Sequence, residues 1–485
     1  MLTLDLILLP ALTAIMLLWQ KGRVPKQLAL AASLVELAGV AYIFFTFKAD
    51  SQSQFAFDYP WVSSLGLRFS AGIDGISLLL VLLTAFLTPL IILSTFNHKY
   101  DRPATFYALI LFMQAALMGV FTARDAFLFY FFFEAALIPV YFLAAIWGGA
   151  DRVAVTFKFF VYTLFGSLFM LIALVYLYQQ TPVNELGIHS SAITNFYNLN
   201  LSLSAQGWLF WAFFLAFAVK MPLFPFHTWQ PDTYVESPTP ATMLLAGIML
   251  KMGVYGLIRF ILPIVPDGAF VNGKTAVILS VIGIVYGSII AIRQRDMKRL
   301  IAYSSFAHVG LMAAGVFSQT STGLQGALVQ MLAHGVNVVG LFFVADIIFS
   351  RTQTRQLDQL GGITRNTPKL TLYFLILLLG AVALPLTNGF VGEFLLLYGV
   401  YSYSPILGAV AGLTIILGAV YMLRLFQKTM FGTPTGRTEY FADLNANESY
   451  VLIPLVVMVF WIGLHPSSFL NLTEPAVMNL LNSIK

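Results

Sequence analysis

The amino-acid sequence predicts an all-α polytopic membrane protein with about fourteen transmembrane helices. Of the 485 residues, 59% are hydrophobic and only 10% are charged, and the mean hydropathy is +0.85. A soluble globular domain carries roughly 25% charged residues. Apolar runs of about 20 residues, the length that crosses a bilayer, recur along the whole chain between short polar loops.

Each expected span is an apolar run bounded by polar or charged residues. The first run is followed by three basic residues, whereas a secretory signal carries its positive charges before the apolar core, so we expect a retained helix with its N-terminus outside. The more polar stretch 50–74 is expected at the membrane interface, 439–448 is the last sizeable polar loop, and no stretch is a convincing strand. The expected spans are 2–19, 27–47, 75–96, 104–121, 126–147, 155–178, 207–237 (broken), 239–262, 273–293, 299–317, 322–349, 369–402 (broken), 405–430 and 450–469.

The distribution of Lys and Arg residues gives the orientation. When the loop after the first span is assigned to the cytoplasm and the sides alternate, the cytoplasmic loops hold 16 of the 26 basic residues. The opposite side holds 5, and another 5 lie inside spans. This asymmetry follows the positive-inside rule. It predicts both termini on the outer side and assigns the net charge of +5 to membrane anchoring, not to nucleic-acid binding.

The composition excludes several kinds of chemistry. The chain has no cysteine, which excludes disulfides, cysteine-ligated iron–sulfur clusters and thiolate zinc sites. The six histidines show no paired metal spacing, and no Gly-rich phosphate loop follows a strand. If the protein serves a redox process, we expect the electrons to travel elsewhere.

Two of the expected spans are interrupted by proline. One break lies at Pro222 and Pro225, directly after Lys220. The other lies around Pro385, ahead of Glu393. Proline disrupts a helix, and in lipid the freed backbone groups are tolerated only where protein or a water-filled cavity covers them. Paired broken helices in corresponding halves of a chain indicate a transporter-type repeat.

Six titratable residues lie at similar depth within expected spans, on five or six different helices. An ionisable residue at the bilayer centre costs roughly 2.5–3.5 kcal/mol on the insertion scale, so each one requires a reason. Residues at similar depth on neighbouring helices can form a row parallel to the membrane plane, and such a row suggests an ion path. The six residues are Glu134, Lys220, Lys251, His308, His334 and Glu393.

We expect an ion pair between Glu134 and Lys220 to act as the switch of this path. Burial disfavours the charged form of a lysine, and an opposite charge nearby favours it. The pair would therefore keep Lys220 protonated, and separation of the pair would release the proton. Lys251 and the two histidines, with trapped water, would pass the proton on, and Glu393 would take it toward one aqueous side.

Other buried ionisable residues have simpler explanations. Either histidine of the row, taken singly, also fits a core histidine bonded to a carbonyl. Glu36 lies in mid-span without an evident partner and is a secondary candidate. Four more residues lie near span ends, where side chains can snorkel to the interface. They are Arg259, Arg424, Lys158 and Asp346.

Several segments resemble a known family. They are FFFEAALIPVYFLAAIWGG (131–149), LAFAVKMPLFPFHTWQPDTYVESPTPATMLLAGIMLKMGVYGLIR (215–259), DMKRLIAYSSFAHVGLM (296–312), MLAHGVNVVGLFF (331–343) and LPLTNGFVGEFLLL (384–397). These segments resemble the antiporter-like subunit M family of proton-pumping NADH–quinone oxidoreductase, respiratory complex I, whose mitochondrial counterpart is subunit 4. The likeness covers nearly the whole chain from about residue 70 onward, and 1–70 shows no matching motif.

The resemblance implies a fold and a place in an assembly. It implies fourteen transmembrane helices with two inverted five-helix repeats, which we place at 104–262 and 273–430, between an N-terminal region 1–100 and a C-terminal region 431–485. The chain would lie in the bacterial inner membrane beside neighbouring antiporter-like subunits, with no nucleic acid. NADH, FMN, iron–sulfur clusters and quinone would lie on partner subunits, with no cofactor in this chain.

The resemblance also assigns roles to the six residues. Glu134 matches the family's key carboxylate, Lys220 its paired lysine, and Lys251 the central lysine. The two histidines match the connecting sites, and Glu393 matches the terminal site, where sister subunits carry lysine. The implied function is proton translocation coupled to electron transfer from NADH to quinone in other subunits. The alternatives are a subunit of a multi-subunit sodium/proton antiporter and a purely structural membrane scaffold.

Overall fold

A computed structural model describes residues 2–484, most of them in helices that pack around one apolar core. Residues Thr239–Ile264 form one continuous helix, called the rod, which contains two π-helical turns, Leu245–Met249 and Leu257–Ile261. The helices are α1 (Leu2–Leu17), α2 (Val24–Thr46), α3 (Leu78–Ser94), α4 (Pro103–Thr122), α5 (Ala126–Ala135), α6 (Leu137–Trp147), α7 (Arg152–Gln180), α8 (Ile193–Tyr197), α9 (Leu203–Lys220), α10 (Gln230–Glu236), α11 (Thr239–Leu244), α12 (Lys251–Gly256), α13 (Leu262–Ile264), α14 (Pro266–Arg293), α15 (Met297–Phe317), α16 (Ser321–Thr352), α17 (Pro368–Ala381), α18 (Asn388–Tyr403), α19 (Pro405–Ala411), α20 (Leu413–Met430), α21 (Ala446–Leu464) and α22 (Ser467–Ser483).

Within residues 2–484, twelve helical segments are long and apolar enough to cross a membrane. They overlap twelve of the expected spans, which confirms a mostly helical polytopic membrane protein. The other two expected spans hold shorter helices. The first is α1, with 16 residues, and the broken span 369–402 divides into α17 and α18, with 14 and 16 residues. The full count of fourteen stays a prediction.

The expectation that the chain has no strand is wrong. Gln54–Val62 (β1) and Leu67–Ile73 (β2) form an antiparallel hairpin within the polar stretch 50–74. Phe57 and Phe69 pack across this hairpin with ring centroids 5.5 Å apart. Aromatic and β-branched residues favour strands, but the hairpin is a short signal between long helical segments.

A second element was also not expected. The last expected span, 450–469, ends earlier in the structure because α21 stops at Leu464 and a further helix, α22, follows. This helix packs against the start of α3, where a Cβ on Gly75 would lie 2.6 Å from the carbonyl oxygen of Leu472. The close packing therefore depends on a residue without a side chain.

The two ends of the helical bundle differ in character. The hairpin face is the end formed by β1, β2, α8 and α22. The basic face is the opposite end, formed by the loops 20–23, 97–102, 294–296 and 353–367. These four loops carry more Lys and Arg than the loops of the hairpin face. By the positive-inside rule the basic face is expected in the cytoplasm.

Buried side-chain hydrogen bonds are formed beside both helix breaks. After α9, the indole nitrogen of Trp229 donates to the carbonyl oxygen of Val219 at 2.9 Å. Before α18, the amide of Asn388 donates to the carbonyl oxygen of Ala333 at 3.2 Å, and Asn337 donates to the Asn388 side-chain oxygen at 3.0 Å. The first break is largely buried, as irregular backbone at membrane depth requires. The second break is not, because Leu384 and Leu386 are 45% and 65% exposed.

Candidate functional site

Four of the six predicted residues form a row in the middle of the molecule. Lys251 Nζ lies 2.8 Å from His334 Nδ1, and His308 Nδ1 lies 2.9 Å from Glu393 Oε1. Between these contacts, the His334 and His308 ring centroids are 5.8 Å apart. All four residues are at most 6% exposed. The row thus connects the rod, α16, α15 and α18 without reaching the surface.

A π-helical turn holds Lys251 at its end of the row. In this turn the backbone N–H of Leu250 bonds to Leu245, five residues back, at 3.2 Å. The carbonyl oxygen of Ala246 is thereby free to accept a hydrogen bond from Lys251 Nζ at 2.6 Å. Such turns are frequent at functional sites. Here the turn supplies the lysine with a backbone acceptor inside the protein.

A close helix contact places Lys220 on the neighbouring helix. A Cβ on Gly253 would lie 2.6 Å from Met221 Cβ and 2.7 Å from the carbonyl oxygen of Phe217. The rod can approach the end of α9 this closely only because residue 253 has no side chain. Lys220 and Lys251 are therefore on helices in direct contact.

The predicted ion pair between Glu134 and Lys220 is not formed in this structure. Lys220 Nζ donates to the carbonyl oxygen of Phe133 at 3.5 Å and lies 4.5 Å from the centroid of the Phe133 ring. Lys220 is buried, whereas Glu134 is partly exposed, and no ion pair within 4 Å joins them in residues 2–484. The lysine nevertheless reaches the peptide group that precedes Glu134.

A small cavity of about 20 Å³, lined by both polar and apolar side chains, adjoins both histidine rings. Within residues 2–484, no hydrogen-bond partner is present for Nε2 of His308 or of His334, nor for the side-chain oxygens of Ser305, Gln330 and Asn337, which also line the cavity. A water molecule needs about 10–15 Å³ and two to four polar partners. The cavity therefore has the volume for one water, and the unpartnered ring nitrogens would be polar partners for it.

The second helix break positions Glu393 at the far end of the row. Glu393 lies in α18, which begins just after the break. Gln330 of α16 donates to the same Glu393 oxygen that faces His308, at 3.4 Å. A Cβ on Gly392 would lie 2.7 Å from Gln330 Cβ, so α18 and α16 are in close contact here.

Glu36, the secondary candidate, lies outside the row. It is buried on α2 and faces Gln114 of α4. Within residues 2–484, no group of three or more His, Asp or Glu side chains is placed to hold a metal ion. The candidate site consists of proton donors and acceptors.

A polar cavity of about 640 Å³ lies on the basic face and does not follow from the sequence. Lys298 lines it, and its Nζ donates to the carbonyl oxygen of Ser237 at 2.6 Å. His98 Nε2 lies 3.0 Å from Asp346 Oδ2 in the same cavity. The pKa of His98 is raised because Asp346 accepts its hydrogen bond, although burial opposes this change. The sequence places Lys298 in a loop between two expected spans. In the structure α15 begins at Met297, and Lys298 is buried.

Four side chains expected to snorkel to the membrane interface have partners within the protein. An ionisable group inside a membrane protein usually pairs with another group or with a backbone carbonyl. The four ionisable residues at the span ends follow that rule. The pairs are Arg259 with Asp74, Asp346 with His98, Lys158 with Asp232, and Arg424 with the carbonyl oxygen of Ile292.

A buried row of Lys, His and Glu on contacting helices, with helix breaks beside it, defines an antiporter-like membrane subunit. The family described as NADH:quinone oxidoreductase/Mrp antiporter, TM, matches residues 123–418. The family described as NADH-ubiquinone oxidoreductase chain 4, amino terminus, matches residues 4–121. The second match also shows a likeness within 1–70, where the sequence analysis found none.

Curated relatives narrow this class to one subunit type. NADH-quinone oxidoreductase subunit M from Rickettsia typhi is 41% identical over 459 residues, which cover 94% of this chain and 92% of that protein. The chain belongs to the subunit M, or chain 4, family of NADH–quinone oxidoreductase. It is therefore a multi-pass membrane subunit of an enzyme complex.

Solved structures agree with this family. A chain of respiratory complex I from Thermus thermophilus with bound NADH is 32% identical, with a TM-score of 0.92 and 100% of each chain covered. A chain of the Mrp complex from Dietzia sp. DQ12-45-1b is 20% identical, with a TM-score of 0.87 over 100% of this chain and 98% of that chain. The Mrp likeness shows a shared fold alone, so the sodium/proton antiporter alternative has less support.

Proposed function

We propose that this chain translocates protons along the row Lys251–His334–His308–Glu393, coupled to electron transfer from NADH to quinone in other subunits. The row itself carries the proposal, because its two terminal contacts are under 3 Å and a cavity of about 20 Å³ adjoins the gap between the rings. A proton moves along hydrogen-bonded donors and acceptors, and bridging waters extend such a path. The chain itself would carry no redox group, and NADH, FMN, iron–sulfur clusters and quinone would lie on partner subunits.

The orientation of the two imidazole rings supports this path. A lysine ammonium has three donors and no acceptor, so His334 Nδ1 accepts from Lys251 when the lysine is charged. The neutral ring then carries its proton on Nε2, which lines the cavity. His308 Nδ1 lies 2.9 Å from Glu393 Oε1, a close contact that lacks hydrogen-bond geometry, and its Nε2 has no partner within residues 2–484. Each ring thus has one nitrogen for an outer partner and one for the cavity.

Lys220 and Glu134 would act as the switch that loads the row. Lys220 is held by a neutral carbonyl and an aromatic face, which stabilise an ammonium less than a carboxylate would. Movement of Glu134 toward Lys220 would favour the protonated lysine, and movement away would release its proton. Because Glu134 is partly exposed, a charge on a neighbouring subunit would act on it directly.

The orientation and internal symmetry belong to the same proposal. We place the chain in the bacterial inner membrane with the basic face in the cytoplasm and both termini outside, beside neighbouring antiporter-like subunits. The two helix breaks, after α9 and before α18, support repeats over 104–262 and 273–430.

The test is NADH-driven proton pumping by membrane vesicles that carry the complex with Lys251→Met. We expect pumping to be lost, because methionine has a similar length but no group that binds or releases a proton. Assembly and NADH oxidation by a water-soluble electron acceptor are expected to be retained. Lys274→Met is the matched control, since Lys274 is exposed on α14. Normal pumping by Lys251→Met in an assembled complex would overturn the proposal. A pH change that depends on sodium and not on NADH would favour the antiporter alternative.

A further inference from the structure

A polar cavity of about 270 Å³ on the hairpin face extends to the rod that carries Lys251. Tyr255 and Arg259 both line it. They follow Lys251 by four and eight residues on the same continuous helix, and residues four apart lie on the same helix face. The cavity therefore extends from the hairpin face to a hydroxyl one helical turn away from the proposed row.

An ion pair lies in the wall of this cavity. Arg259 Nη1 lies 2.7 Å from Asp74 Oδ2, and Nη2 donates to Asp74 Oδ1 at 2.7 Å, so the contact is bidentate. Arg259 Nε also donates to the Tyr255 hydroxyl at 3.1 Å. The Tyr255 hydroxyl in turn donates to the carbonyl oxygen of Phe121 at 3.1 Å. The guanidinium is thus fixed between Asp74 and Tyr255.

Asp74 stays charged in this position. Burial works to raise the pKa of Asp74, but the charge and hydrogen bonds of Arg259 and the bonds from Ser77 hold it below its usual value. The backbone N–H groups of Ser77 and Ile76 donate to Asp74 Oδ1 at 3.0 and 3.1 Å. The carboxylate is therefore anchored to the start of α3, and it anchors Arg259.

The burial of this pair differs from that of a surface pair on the same face. The side chains of Arg259 and Asp74 are 16% and 17% exposed, whereas those of Arg68 and Asp58 in the hairpin are 46% and 49% exposed. The buried pair contacts the cavity on one side and the protein interior on the other. The hairpin pair is about half-exposed and provides a matched comparison.

A guanidinium at this position has a specific physical effect. Arginine cannot be deprotonated and has no acceptor, so it cannot pass a proton along. A fixed positive charge beside a narrow polar path repels protons and cations. Tyr255, by contrast, has a hydroxyl that can both donate and accept. Without the guanidinium, no fixed positive charge would lie between the cavity and the Tyr255 hydroxyl, which is four residues from Lys251 on the same helix face.

We propose that the Arg259–Asp74 pair is a proton barrier that separates Lys251 from the aqueous cavity on the hairpin face. The barrier prevents protons from returning to Lys251 from that side, so the row loads and empties elsewhere. This assignment rests on the proposed function, because a barrier at this position has a role only if protons move along the row that begins at Lys251. Asp74 thus positions the Arg259 guanidinium, and the guanidinium makes the path directional.

The test measures passive proton flow and needs no NADH. Vesicles that carry the assembled complex are given a pH gradient with the hairpin face on the acidic side, with potassium and valinomycin to clamp the membrane potential. A pH dye entrapped in the vesicles then reports the decay of the pH gradient. With Arg259→Gln we expect decay about tenfold faster than in the parent complex, which corresponds to a barrier about 1.4 kcal/mol lower. Arg259→Lys, which keeps the charge, and Arg68→Gln are expected to stay at the parent rate.

Two further variants make the result specific. Addition of Lys251→Met to Arg259→Gln is expected to return the decay to the parent rate, because the leak would run through Lys251. Asp74→Asn combined with Arg259→Gln leaves no unpaired charge, which favours assembly, and is expected to leak as well. The proposal would be overturned if Arg259→Gln, with and without Asp74→Asn, kept the parent rate of decay. It would also be overturned if the leak of Arg259→Gln persisted after addition of Lys251→Met. Lys251→Met alone tests pumping and not leakage, so failure of the proposed function would be seen separately.

Discussion

Lys251 Nζ and His334 Nδ1 lie 2.8 Å apart because two glycines allow their helices to touch. A Cβ on Gly335, the residue after His334, would lie 2.8 Å from the carbonyl oxygen of Gly247. Gly247 lies within the π-helical turn that precedes Lys251. The first link of the proposed path therefore depends on helix packing as much as on the two titratable groups.

Gly335→Ala is expected to weaken this link. The added methyl group would also lie 2.7 Å from Leu83 Cδ1, so α16 must shift, and such overpacking typically destabilises by about 1–3 kcal/mol. We expect a lower apparent melting temperature of the detergent-solubilised complex and fewer protons pumped per NADH oxidised. Gly273→Ala is the control, because nothing lies within 4 Å of its added Cβ. Equal pumping by the two variants would show that the glycine contact does not set the Lys251–His334 distance.

Glu134→Gln is expected to uncouple pumping from NADH oxidation. The amide keeps the size of the side chain but removes the charge that would favour protonated Lys220. We expect NADH–quinone activity to fall less than pumping does, measured as the ratio of proton flux to NADH oxidised in vesicles. Glu185→Gln, in an exposed loop, is the matched control. An unchanged ratio in the assembled Glu134→Gln complex would remove Glu134 from the switch.

Lys298→Met is expected to destabilise the basic face. Lys298 Nζ donates to the carbonyl oxygens of Ser237 and Val235 at 2.6 and 3.4 Å, and these carbonyls end α10. Loss of a donor to a buried carbonyl costs about 1–3 kcal/mol. We expect a lower apparent melting temperature of the complex and faster proteolysis near α10. Lys428→Met on the exposed side of α20 is the comparison, and identical melting of the two variants would contradict this role.

The sequence was sufficient for the parts of this fold that depend on local composition. Spans follow from apolar length, and the breaks at Pro222 and Pro385 follow from proline chemistry. The depth of a charge within a span is also local. This is why Lys251, His334 and Glu393 could be selected before any contact between them was known.

Other features depend on contacts that no single segment encodes. The distance from Glu134 to Lys220 depends on how α5 packs on α9, and the predicted ion pair between them is absent. The acceptor for Lys251 arises from a π-helical turn at Ala246, which the apolar sequence does not reveal. Arg259 was expected at the interface because its partner, Asp74, is 185 residues away.

The His98–Asp346 pair predicts a dependence of stability on pH. The pKa of His98 is raised above its ordinary 6.5, first by the hydrogen bond to Asp346 and also by its charge, against the effect of burial. A raised pKa in the folded state gives stabilisation that is fully present below about pH 6.5 and is lost as the pH rises through the folded-state pKa. The His98 side chain is 33% exposed, so the effect is at most about 1 kcal/mol.

The measurement is the apparent melting temperature of the complex from about pH 5.5 to 9, a range that brackets the usual histidine pKa. Asp346→Asn keeps an oxygen for the hydrogen bond from Thr239 but removes the charge that faces His98. We expect the parent complex to melt higher than this variant at the acidic end and the difference to shrink as the pH rises. Asp101→Asn, on the exposed basic face, should show no such trend. A difference between Asp346→Asn and the parent that stays constant across the range would contradict this role, because only the titration of His98 makes the difference depend on pH there.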